Sequence, residues 1–379
     1  MKIAHLIEAG RFGGPNRTII EVSKALKNEH EFIVISGKDD SEQFRLELDS
    51  IMVDSFFFPL TRLRFSFKVF VKYIVRFLYE TILIYQTLKK EQIDVIHNHT
   101  YLDFKGVIVG RLLNKPVVWH LHSSILPNII KPIFLFFLKI HKGNHVCVCK
   151  LTQDVFLGKS SNKEASIIQS PVDTDVFSFK PKTAISNRLK KVISICCVAN
   201  FHPEKGHKIL VEAFNLLLKS MESIDLQFTL HLKGKIYKNQ KGYVDELMRL
   251  AKKNKIEKYV FFDSNQNNKV TDFLKNKDIF VLASEAEASP ISLWEAASMG
   301  IPLLCTDVGD VKYYIEKYNC GKILYHKSPE NLAELILNLC LSYDFLKFSS
   351  NAREMVLKEF SSKRIKNKYL NVYNPLPQL

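Results

Sequence analysis

This chain of 379 residues has few of the features that would mark it as secreted, fibrous or membrane-spanning. Its seven cysteines (147, 149, 196, 197, 305, 320 and 340) show no C-x-x-C spacing. That argues against a disulfide framework or a zinc ribbon and predicts reduced thiols in the core. Fourteen glycines and 13 prolines are too few for a collagen-like or low-complexity chain. The longest strongly apolar stretch, 132–140, falls well short of the roughly 20 residues that span a bilayer. Residues 1–7 read as a short strand running into Gly10 rather than a cleavable leader, so a cytoplasmic protein is expected. Acidic residues are also scarce. Against 54 Lys and Arg stand 39 Asp and Glu, a net charge of +15 that predicts an anionic partner.

What is present is an ordinary globular balance, 46% apolar and 25% charged, in a chain long enough for two domains at about 150 residues each. Strand-like runs occur at 3–7, 31–36, 94–97, 116–121, 144–148, 192–198, 227–233, 259–262, 279–283 and 302–306. They alternate with segments of 3.6-residue periodicity such as 17–27, 208–218 and 243–254. Such alternation predicts an α/β protein whose parallel sheets are covered on both faces, and ten strands suit two sheets better than one. The polar, proline-bearing stretch 178–188 is the expected linker. Ser328-Pro329-Glu330 opens a helix, and the last helices run from there to about Tyr373.

The sharpest chemical signal is the segment 284–302, SEAEASPISLWEAASMGIP. It follows an apolar strand, turns at Pro290-Ile291-Ser292 and enters a helix that ends at Gly300. Free amides at that helix start predict an anion site, and Glu287 and Glu295, eight positions apart, bracket it. A sugar attached to a diphosphate needs this combination: amides for phosphate and carboxylates for hydroxyls. Further candidates follow strand ends. Asn200 and Lys205 lie in the loop 198–208, and Gly13 and Gly14 in the loop 10–17, which lacks the dinucleotide G-x-G-x-x-G spacing. His97 and His99, then His120 and His122, end two strands at the carboxyl edge where open α/β sheets bind ligands.

Together these residues resemble the retaining GT-B glycosyltransferases of family 4. The spacing Glu287-x7-Glu295 looks like that family's paired-glutamate signature, in which the first acid faces the donor sugar and the second binds ribose hydroxyls. The resemblance implies two Rossmann-like domains facing each other across a cleft. Residues 1–180 would form the acceptor side and 188–359 the nucleotide-sugar domain. Helices after about residue 347 would cross back, with 360–379 assigned to the first domain. Glu287 and His122 become the expected catalytic residues and His99 an acceptor-side residue. Donor binding falls to Gly13, Gly14, Asn200, Lys205, Pro290, Ile291, Ser292 and Glu295. Asn200 departs from the family's usual arginine: an amide donates a hydrogen bond but neutralises no charge.

The implied reaction moves a sugar from a nucleotide-diphosphate donor to a hydroxyl on a glycan or glycolipid acceptor, with retention and without a metal or other cofactor. A nucleotide-sugar 2-epimerase and a catalytically silent sugar-nucleotide-binding protein are the alternatives. Asp173-Thr174-Asp175 imitates a metal-binding D-x-D motif, yet it lies in a segment resembling the family's interdomain one, and no metal ligand is assigned. Arg64, Lys68, Lys72 and Arg76 form a basic stripe among aromatic and aliphatic residues, and 126–142 adds a second basic, apolar stretch. Two readings stay open for these segments. One is docking on the anionic inner face of the cell membrane; the other is a sheet-covering helix with a solvated edge. No nucleic-acid-binding module is recognisable, so nucleic acid is not an expected partner.

Overall fold

The computed structural model describes residues 1–63, 66–158, 165–178, 192–220, 226–265, 268–342 and 344–374. The chain divides into two compact units, 1–171 with 362–379 and 172–361. The expected linker, 178–188, lies outside the described residues except for Ser178. Residues 172–178 group with the second unit rather than the first, because Arg353 and Ser298 donate to the Phe177 carbonyl and Arg353 also reaches the Thr174 carbonyl.

The first unit runs β1 (Lys2–Ile7), α1 (Gly14–Leu26), β2 (Glu31–Gly37), α2 (Glu42–Ser50), β3 (Asp54–Phe58), α3 (Phe67–Lys90), β4 (Val95–His99), α4 (Phe104–Leu113), β5 (Val117–Leu121), α5 (Lys131–Ile140), β6 (His145–Cys147), α6 (Lys150–Leu157) and β7 (Ala165–Ile167). The second continues with β8 (Val192–Val198), α7 (His207–Ser220), β9 (Gln227–Lys233), α8 (Lys241–Lys253), β10 (Val260–Asp263), α9 (Val270–Leu274), β11 (Ile279–Leu282), α10 (Ile291–Ser298), β12 (Leu303–Thr306), α11 (Val311–Tyr318), β13 (Gly321–Leu324), α12 (Pro329–Leu341) and α13 (Phe345–Glu359). α14 (Ser362–Tyr373) returns to the first unit.

Every strand pairing is parallel, in the orders β3-β2-β1-β4-β5-β6-β7 and β10-β9-β8-β11-β12-β13. Both sheets therefore reverse direction once, at β1/β4 and at β8/β11. Loops leaving the carboxyl ends of those strands diverge there and leave room for a ligand. The central strands are buried on both faces, as helix-covered parallel sheets require; β11, Ile279–Leu282, is wholly apolar, whereas β1, β4 and β5 carry buried histidines.

Three short strands, β3, β7 and β13, were not among the expected ones. Each lies at or next to a sheet edge, where a half-buried run of three to five residues carries little periodicity. Of the helices expected to cross back after about residue 347, α13 instead stays where the 188–359 boundary puts it. It packs in the second unit, with Ala352, Met355 and Val356 in the core beneath α10, so only α14 crosses back. The chain enters and leaves the second unit side by side, Val172 N–H donating to the Phe360 carbonyl at 2.9 Å. All seven cysteines are buried thiols outside any disulfide.

Candidate active site

In the second unit the site grows from the two loops at the strand reversal. After β8 the chain makes a short 3-10 turn, Pro203–Lys205, and Gly206 ends it in the left-handed region at φ 72°. A Cβ on Gly206 would lie 2.1 Å from the Ala283 carbonyl oxygen, so only glycine lets this loop sit against the end of β11. Glu285 N–H donates to the Glu204 carbonyl at 2.8 Å and ties the two loops together. This brings Lys205 to Glu287: Nζ donates to Oε1 at 2.7 Å, and Ser284 Oγ donates to the same oxygen at 2.9 Å. Both charged side chains are partly exposed, which suits a ligand-facing pair better than a core ion pair.

α10 follows directly. Its first internal bonds run from Leu293 and Trp294 N–H to the Pro290 carbonyl, so the Ile291 and Ser292 amides precede the helical ladder at its positive end. Trp294 holds the helix in place, fully buried and stacked on Phe360 with centroids 4.3 Å apart. Glu295 lies within α10 and is buried, whereas Glu287 sits at the mouth of the loop.

The remaining residues of the second unit divide. Asn200 is exposed in the β8 loop. Neither basic residue near it takes the place of the family's arginine: Lys208 pairs with Glu246 at 2.9 Å, and His202 caps the 3-10 turn by accepting from Glu204 N–H. Asp173 Oδ1 accepts from Asp175 and Val176 N–H, so the D-x-D motif builds a local turn.

In the first unit, Gly13 precedes α1 and Gly14 begins it. The close backbone approach falls instead on Gly10, where a Cβ would lie 1.9 Å from the Gly37 carbonyl oxygen. His99 and His122 share a hydrogen bond of 3.1 Å, and His99 shares another of 2.9 Å with His5. His97 bonds His120 at 3.2 Å and the Tyr373 hydroxyl at 2.7 Å. Five imidazoles from three adjacent strands thus form one cluster, beside Tyr369 and Tyr373 of α14. Burial drives all five below the ordinary histidine pKa, to about 3 for His5 and His122, so they are neutral at pH 7.

A buried charge cluster went unnoticed in the sequence. Lys105 of α4 is wholly buried, with Nζ 2.6 Å from Glu8 Oε1 and 3.2 Å from Glu80 Oε2, and it lies 4.2 Å from the Tyr73 ring centroid. Glu8 N–H donates to Asp103 Oδ1. Burial pushes the Glu8 carboxyl up to about 7 against the pull of Lys105, and burial likewise raises Asp103. Arg76, expected in the exposed basic stripe, instead donates to Glu80 at 2.8 Å and to the Pro59 carbonyl. The available signals were Glu8 just beyond a β-strand end and a lone lysine inside the apolar run FKGVIVGRLL.

The family profile described as glycosyl transferases group 1 matches residues 179–355, and that of glycosyltransferase family 4 matches 12–176. The chain belongs to the GT-B glycosyltransferases of family 4 and group 1. Among its relatives is the UDP-Gal:alpha-D-GlcNAc-diphosphoundecaprenol alpha-1,3-galactosyltransferase of Escherichia coli, 20% identical over 98% of this chain and 96% of that protein. Another is the capsular polysaccharide biosynthesis glycosyltransferase CapH of Staphylococcus aureus, 24% identical over 78% of each. Among solved structures, Anabaena HepE in complex with UDP and glucose superposes with a TM-score of 0.82 at 19% identity, over 99% of this chain and 100% of that one. This glycosyltransferase therefore has homologues in polysaccharide and lipid-linked glycan assembly.

Proposed function

We propose that this glycosyltransferase moves a sugar, with retention at the anomeric carbon, from a nucleotide-diphosphate donor to a hydroxyl of a lipid-linked or growing surface glycan. The observation that carries the reading is the Lys205–Glu287 pair at the strand reversal of the second unit, beside the start of α10. In this reading a bound diphosphate draws Lys205 and the Ile291 and Ser292 amides to its oxygens, which supplies the charge stabilisation the leaving group needs. Glu287 is then released to hold hydroxyls of the transferring sugar, Glu295 to bind ribose, and Asn200 to donate one neutral hydrogen bond. The charge on the diphosphate is balanced by Lys205 and the amides, so the step as proposed calls on no cation. Of the first unit, this reading assigns His122 to the sugar, His99 to the acceptor, and Gly13 and Gly14 to the donor.

The lipid-linked acceptor draws support from α3. Of its apolar side chains, Phe67 is 82% exposed, Val75 75% and Leu78 69%, with Lys68 and Lys72 exposed among them. A helix that only covers a sheet would turn those residues inward. An anionic bilayer at the inner face of the membrane suits both the apolar face and the basic flank. Arg64 of the expected stripe lies outside the described residues. Among the described residues no helix is long and apolar enough to cross a membrane.

Asn200 favours a second reading, a protein that binds sugar nucleotides without turning them over. Mass spectrometry of products from nucleotide-sugar donors and lipid-linked acceptors, with native chain and Glu287→Ala, separates the two. Transfer that falls about a hundredfold or more in the variant supports the enzyme; no product from either protein overturns it.

A further inference from the structure

We propose that His99, His120 and His122 form a three-histidine site for a divalent transition-metal ion of the zinc class, with the fourth coordination position open. One nitrogen from each of the three lies within 4.8 Å of the other two. His99 Nδ1 and His122 Nε2, 3.1 Å apart, are already close to the edge of about 3.3 Å expected for a tetrahedron with Zn–N bonds of about 2.05 Å. Rotation of the His120 ring toward them would complete the site. Neutral imidazole is the ligand form, and it suits zinc, copper and nickel.

The outer hydrogen bonds point the same way. In metal sites the second nitrogen of each ligating histidine is normally held by another group, which sets the tautomer and aims the ring. Here His99 Nε2 is held by His5 and His120 Nδ1 by His97, which is in turn anchored on the Tyr373 hydroxyl. His120 Nε2, the nitrogen left over, is buried with no hydrogen-bond partner. Coordination would satisfy it. A second trio, His5, His97 and His99, shares His99 but is buried throughout, whereas His122 just past the end of β5 keeps some exposure and gives an ion a way in.

Such an ion would not serve the transfer step proposed above. It would take His99 and His122 away from substrate and so inhibit, a consequence that rests on the roles proposed for those residues; the binding itself does not.

The test uses the untagged full chain, stripped with EDTA and dialysed against ZnCl2, with bound zinc counted by elemental mass spectrometry. One ion per chain is expected, and Co2+ in its place should show the strong visible absorption of a tetrahedral site. His120→Asn and His122→Asn, each checked for native circular dichroism, should weaken retention by about tenfold or more. The exposed His326→Asn should leave retention unchanged. Substoichiometric zinc at saturation, or retention untouched by both variants, overturns the proposal. Stoichiometric zinc that leaves transfer at full rate would instead overturn the roles of His99 and His122 and uphold the metal site.

Discussion

The two units share one winding order yet use their strand reversals in opposite ways. In the second unit the reversal carries a partly exposed pair, Lys205 and Glu287, supported by one serine and one glycine turn. In the first, Glu8 follows β1 as a buried carboxylate on wholly buried Lys105, and the strand faces nearby are packed with imidazoles. A lysine–carboxylate contact of nearly the same length is thus partly exposed, and proposed as a ligand site, in one unit and part of the core in the other. Solvent exposure separates the two. Removing one partner of a buried pair strands a charge away from water, whereas an exposed pair gives up little.

Lys105→Met sharpens this contrast most strongly. It should lower unfolding stability by about 3–5 kcal/mol, read from denaturant titration, because Glu8 and Glu80 lose their cation. Lys205→Met should change stability by no more than about 1 kcal/mol while reducing kcat/KM at least tenfold. Equal losses of stability in the two variants would break the comparison.

Acid separates the units next. Each of the five clustered imidazoles of the first unit resists protonation that the unfolded chain accepts near pH 6.5. Below pH 6.5 the unfolded state therefore binds more protons, and each histidine withdraws up to about 1.4 kcal/mol per pH unit. The raised Glu8 and Asp103 act in the opposite sense, since the folded state holds their protons at higher pH. Five imidazoles against two carboxyls leave a net loss on acidification. The second unit has fewer such groups, with His207 and His231 lowered to about 4. Hydrogen exchange at pH 7.5 and 5.5 should show amides of β1, β4 and β5 losing protection before those of β8 and β11.

Gly206→Ala should cost about 1–3 kcal/mol through its left-handed backbone and the Ala283 contact, and it should raise KM for donor. The smallest effect is expected on α3. Lys68→Glu with Lys72→Glu should weaken flotation with anionic liposomes by about 1 kcal/mol per charge and leave transfer to a soluble acceptor unchanged. Salt-insensitive binding, or none by the native chain, would remove the membrane face.

Much of the fold was legible because parallel strands buried on both faces are mostly apolar, and runs such as 192–198 and 279–283 stand out against polar loops. The turn at Pro290-Ile291-Ser292 and the cap at Ser328 were readable for the same local reason, and Ser328 Oγ does accept from Asn331 N–H. Edge strands such as Ala165–Ile167 were not, since a three-residue half-buried run has no period to detect. The boundary at 359 kept α13 in the second unit, but its apolar face by itself fits a sheet in either unit, and packing against α10 is what holds it there.

The sequence by itself determined the alternation of strand and helix, the family, and which residue types stand at the strand ends, because these depend on local pattern and spacing. Tertiary structure alone decided which of them meet. Lys205 and Glu287 are 82 positions apart, and Lys105 and Glu8 are separated by 97. Neither spacing carries a signal, since pairs so distant are joined only by the order in which strands take their places in a sheet. Exposure, which leaves one pair open to solvent and makes the other a core contact, is likewise a property of what packs around them.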